Sequence, residues 1–221
     1  MARPNKLKTG VSVSLPEQPE SPSSAANTAQ STIEISDDAQ RAIEETRIWL
    51  ERAVIGLNLC PFAKSVHVKG QIHYAVSQAR TAAELLDDLV IELNALLTFA
   101  PSIRDTTLLI APHCLADFLD FNDFLSMADQ ALVDLDLDGV LQIANLHPNY
   151  QFAGTSVDDI TNFTNRSPHP TLHLLREESI DRAVQAFPEA ETIFERNMQT
   201  MERLGPAGWA ALGTDREKKD R

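Results

Sequence analysis

Apolar residues at helical spacing alternate along this chain with short extended apolar runs, and that alternation constrains the fold more than any other feature. Ser36-Asp37-Asp38 puts a capping side chain and negative charge at a helix start. Behind it Ile43, Thr46, Leu50, Ala53, Val54 and Leu57 recur at three- and four-residue steps. Pro61 pushes Cys60 toward extended geometry, so this helix is predicted to end near Asn58. Ile72, Tyr74 and Val76 then alternate as a strand does. Thr81 and Glu84 form a capping box ahead of a stripe through Leu85, Leu86, Leu89, Val90, Leu93, Leu96 and Leu97. Thr106 to Ala111, closed by Pro112, reads as a buried strand. Phe118, Phe121, Leu125, Ala128 and Leu132 mark another helix, Gly139 breaks it, and Val140 to Leu146 form a third strand. After a polar loop come a fourth strand, Thr171 to Arg176, and a short helix opened by Ser179. Pro188 suits the first turn of a last helix, and Gly205-Pro206 supplies its stop.

Strands separated by helices of this length imply crossover connections between parallel strands. The expected fold is α/β, with a small, mostly parallel sheet of three to four strands packed with helices in a single domain. Strand order stays open, and the fourth strand can run antiparallel. Residues 37–213 would form the domain. Residues 1–36, rich in Pro, Ser, Thr, Ala and Gln, bury too little apolar surface to offset their ordering entropy and read as a disordered tail. Residues 214–221 read as a charged tail.

With 19 Lys and Arg against 32 Asp and Glu, the formal charge is −13, which argues against nucleic acid or an anionic membrane as partner. Between Arg104 and Arg166 there is no cation at all but ten Asp, a solvated acidic face or a surface that attracts cations. Two cysteines imply no disulfide framework, and no apolar run is long enough to span a membrane or serve as a secretory signal. The expected compartment is cytoplasmic.

Candidate chemistry gathers in two polar runs, His147-Pro148-Asn149-Tyr150-Gln151-Phe152-Ala153-Gly154 and Asn162-Phe163-Thr164-Asn165-Arg166-Ser167-Pro168-His169-Pro170. Backbone outside regular ladders must find other partners, and ordered loops on rigid scaffolds are common sites. His147 ends a strand, where α/β sheets open their crevice, which suits a general base or a ligand; a structural His bonding loop carbonyls is the competing reading. Cys60 lies beyond a helix C-terminus, whose dipole opposes a thiolate unless His147 folds back against it; otherwise it is an inert thiol packed beside Phe62. The two form the candidate catalytic pair. Tyr150, Asn165, Arg166 and Arg176 are candidate ligand-binding groups, the arginines as clamps for a small anionic molecule or as partners of nearby acids.

No metal site is expected. On a strand, His169 and His173 would stand about 13 Å apart, too far to share an ion. Asp134 to Gly139 reproduces the first half of a calcium loop, but the closing position holds Asn145 in place of Glu. No phosphate-binding glycine loop, dinucleotide fingerprint or nucleophile elbow occurs, and the cofactor stays unassigned.

The run from Thr46 to Lys64, the His147 to Gly154 run, Asn165-Arg166-Ser167-Pro168 and His173-Leu174-Leu175-Arg176-Glu177 together resemble the bacterial domain-of-unknown-function family 1415, over roughly residues 40 to 212. The resemblance carries over no activity, cofactor or catalytic residue. Two classes of function stand open: a small-molecule-binding protein or enzyme whose pocket joins Cys60, His147, Tyr150, Asn165 and Arg166, and a non-catalytic interaction or structural protein.

Overall fold

The computed structural model describes residues 36–186 and 192–214. The predicted tail before Ser36, Pro188 and positions 215–221 lie outside the described residues. Thr214 is described, and it is buried.

The first helix, α1 (Asp37–Trp49), starts where the Ser36 side chain accepts the Ala39 N–H at 3.3 Å. It continues as a π-helical segment, Leu50–Ile55, and the chain turns at Asn58, which adopts φ 55°. A short helix not anticipated from the sequence, α2 (Ala63–Val68), follows before strand β1 (Ile72–Val76). The Thr81–Glu84 capping box opens α3 (Ala82–Thr98), as its sequence requires. Strand β2 (Thr106–Ile110), helix α4 (Phe118–Asp134) and strand β3 (Leu141–Leu146) come next. A 3₁₀ segment, Ile160–Asn165, precedes β4 (Thr171–Arg176). Helix α5 (Glu177–Ala186) begins directly off that strand, two residues before the expected start at Ser179. The last helix, α6 (Ile193–Ala211), is not stopped by Gly205-Pro206. Gly205 takes φ 64°, and helix resumes from Pro206, so the pair makes a kink.

The sheet order is β1-β2-β4-β3. Only β1 and β2 pair in parallel; β4 runs antiparallel to both β2 and β3. The expectation of a mostly parallel sheet is therefore corrected, and the reason lies in one connection. Strands β1, β2 and β3 do share a direction, as their helical crossovers demand. The β2–α4–β3 crossover skips one position, however, and β4 fills it. Because the segment after β3 carries no crossover helix, it returns the chain at the end where β3 stopped, pairing Leu146 with Thr171.

Strand alternation gives the sheet two unlike faces. On one, Leu109, Leu172, Leu174 and Leu141 pack against Leu85, Leu89, Leu93 and Leu96 of α3 and Phe121 and Phe124 of α4. The four α3 leucines are fully buried, each contributing about 1.5–3 kcal/mol of apolar transfer. On the other face Ile72, Tyr74, Val76, Leu108 and Ile110 meet Ala42 of α1. Trp49, Leu50, Leu59, Met201 and Trp209 form a further cluster reaching Tyr74 and Leu146. Among the described residues this second face is only partly covered, and no residue of α5 is buried.

Candidate functional site

A cavity of about 960 Å³ lies on that partly covered face, within the range of about 300–1,000 Å³ typical of ligand sites. Its floor comprises the sheet residues that point away from the leucine core, among them Thr106, Leu108, Gln142, Ala144, Leu146, His173 and Leu175. Its walls include Leu59, Cys60 and Phe62 on one side and Ile180, Ala183 and Ala186 of α5 on the other.

His173 occupies the middle of the floor. The register sets Tyr74, Leu108, His173 and Ala144 in one row across the four strands. Among the described residues none hydrogen-bonds either ring nitrogen, and burial pushes the imidazole down to about 4. At neutral pH it is an uncharged ring whose donor and acceptor are unpaired among the described residues, in a largely apolar cavity.

Cys60 belongs to the same cavity. The backbone N–H groups of Phe62 and Ala63 approach its sulfur, because α2 begins just after it, but burial outweighs them and pushes the thiol up. Its neighbour is thus the start of one helix as much as the end of another, which the sequence did not reveal.

The other predicted residues are distributed differently. His147 is fully buried. One more step of alternation along β3 turns its ring toward the leucine core, where it stacks on Phe118 and Phe121 at 5.4 and 5.1 Å. Its Nε2 donates to the Leu115 carbonyl at 3.1 Å and its Nδ1 accepts the Asn149 N–H at 3.0 Å. This pattern fixes the neutral Nε2–H tautomer. Burial pushes its basicity down, against the Leu115 carbonyl and Asp117. Cys60 and Asn165 line the large cavity; the His147 side chain does not.

Asn165 is hydrogen-bonded to the Tyr150 hydroxyl, whose ring packs edge-on against Phe152. Arg166 ties the loop together: its Nε donates to the Tyr150 carbonyl at 3.1 Å, a terminal nitrogen donates to the Val157 carbonyl at 2.7 Å, and the guanidinium lies 4.1 Å from the Phe163 ring centre. It lines a smaller cavity of about 210 Å³ with Trp49, Pro148, Phe163 and Trp209. Arg176 borders the large cavity, but its guanidinium is turned to the C-terminal end of α3, donating to the carbonyls of Leu96, Phe99 and Arg104. The five groups expected in one pocket are thus spread over a core contact, a loop clasp and two cavities.

The sequence weighs His173 only as a metal-ligand partner of His169 and does not mark it as a pocket residue. The usable signal was period two: with Leu172 and Leu174 on the core face, position 173 must face the opposite way. It also sets a pH dependence. Because its folded value of about 4 lies below the unfolded 6.5, the unfolded chain binds more protons between those limits. Stability is full above about pH 6.5 and falls as pH drops through the window, by up to about 3 kcal/mol. His147 and His73, both held below their ordinary values, act in the same direction. Urea midpoints at about pH 7 and about pH 5 check this, and His173→Leu is expected to flatten the slope.

Among the described residues, no helix is long and apolar enough to cross a membrane, and no group of three or more His, Cys, Asp or Glu is placed to hold a metal ion. The described residues form an α/β protein with an open four-stranded sheet and a cavity on its less covered face. A family model described as "Protein of unknown function (DUF1415)" matches residues 41–211, and the chain belongs to that family. No curated protein and no solved structure matches it.

Proposed function

We propose that this protein binds a small anionic molecule in the cavity on the open face of its sheet. The observation that carries the reading is His173: a neutral imidazole at the centre of a largely apolar floor, with no hydrogen-bond partner among the described residues. His173 is half-buried, so a ligand that enters the cavity can pair its ring nitrogens without breaking a hydrogen bond among the described residues. Cys60 gives the same cavity a thiol, but its burial favours the protonated form, so the reading stops at binding.

The test separates function from folding. His173→Leu is expected to leave stability at neutral pH within about 1 kcal/mol while removing binding. A library of small organic acids, amines and neutral compounds, screened by saturation-transfer NMR, should give hits on the natural protein that vanish in the variant. A variant that is destabilised, together with a silent screen, would support the non-catalytic structural reading instead.

A further inference from the structure

The cavity has unlike ends, and their chemistry narrows the ligand. Among the described residues four charged ones line it: Lys69, Arg176 and Arg182 against Asp105, a cationic excess in a chain whose acids outnumber its bases. Arg176 is committed to the carbonyls of α3. The other three gather where β1 and β2 begin: the Gln71 carbonyl accepts the Asp105 N–H at 2.9 Å, two residues after Lys69. There Arg182 donates to the Ser179 hydroxyl at 2.9 Å, which in turn donates to Asp105 at 2.6 Å. Arg182 also faces Glu178 at 3.8 Å, whereas Lys69 has no ion-pair partner among the described residues.

At the far end, where β3 stops at Leu146, three of the polar side chains are bonded inside the protein. Asn197 donates to the Leu59 carbonyl at 2.8 Å, Thr164 to the Thr161 carbonyl at 2.9 Å, and Asn165 is bonded to Tyr150. Beside the Cys60 thiol and Asn145, the lining there is hydrocarbon, chiefly Leu59, Phe62 and Leu146. Along β3 the floor runs from Gln142 to Leu146, about 13 Å, with His173 beside its middle residue, Ala144.

From this cationic end, polar centre and apolar far end, we infer that the ligand is a medium-chain carboxylic acid bearing a hydroxyl or carbonyl partway along its chain. The carboxylate lies toward Lys69, the mid-chain oxygen meets His173, and the tail ends against Leu59 and Leu146. This rests on the cavity being a small-molecule site.

Titration calorimetry with decanoate, a mid-chain hydroxydecanoate and 1-decanol tests the assignment. Saturable binding of one acid per chain is expected, at least tenfold tighter than the alcohol, and Lys69→Gln should abolish that difference. The hydroxy acid should bind about fivefold tighter than decanoate, an advantage lost in His173→Leu. Shortening to octanoate should weaken binding roughly threefold to fourfold per methylene. Equal binding of acid and alcohol, indifferent to Lys69→Gln, would overturn the carboxylate assignment and leave the cavity reading standing. So would silence from all three probes if a compound of another class binds in a His173-dependent way. If nothing binds in either series, both readings fall together.

Discussion

Replacing Arg176 with alanine should lower the unfolding midpoint of the ligand-free protein by roughly 6–12 °C, corresponding to about 3 kcal/mol. The side chain is buried and holds the carbonyls of Leu96, Phe99 and Arg104, joining the last residue of β4 to the end of α3 and the turn leading to β2. Helix α3 has no basic residue in its last turn, so the guanidinium also supplies the positive charge that a helix C-terminus favours. Removing it strands those carbonyls away from water and opens a hole beside the core. Arg176→Lys retains charge but lacks the planar fork, and should recover less than half of the loss. Thermal or urea unfolding without ligand decides the matter. A midpoint unchanged in Arg176→Ala would return this residue to the role of ligand clamp.

How far the sequence could be read follows from which interactions are local. Caps and stripes are: Ser36, the Thr81–Glu84 box and the leucines of α3 are each specified within a few residues, and each was legible. The direction of β1, β2 and β3 was legible too, because crossover geometry depends on connection length. The insertion of β4 between β2 and β3 was not, since it depends on long-range pairing that neither strand encodes by itself. Arg166 and Arg176 show the same limit. An arginine among polar residues looks the same in sequence whether it binds an anion or closes a loop, and here both serve backbone carbonyls. His173 shows the converse. Set in an apolar strand, it looks incidental until the face it occupies proves to be a cavity floor.

The His147→Ala variant should be destabilised by about 3–4 kcal/mol at neutral pH, without any change in the chemistry of Cys60. The imidazole is fully buried between Phe118 and Phe121, and both nitrogens are committed to backbone groups. Its deletion leaves a ring-sized void in the core and two unpaired backbone groups, at Leu115 and Asn149. Leu115 is held at φ 51°, a conformation that favours glycine, and the His147 bond to its carbonyl helps fix that turn. Loss of the ring should therefore loosen the β2–α4 turn and the start of the polar loop together. Hydrogen exchange is expected to quicken at Asn149, and urea unfolding should report the lower midpoint. Cys60, across the sheet from this ring, should keep the same rate of alkylation and the same pH profile in the variant. A stable His147→Ala protein whose Cys60 reactivity had changed would instead make His147 the partner of that thiol.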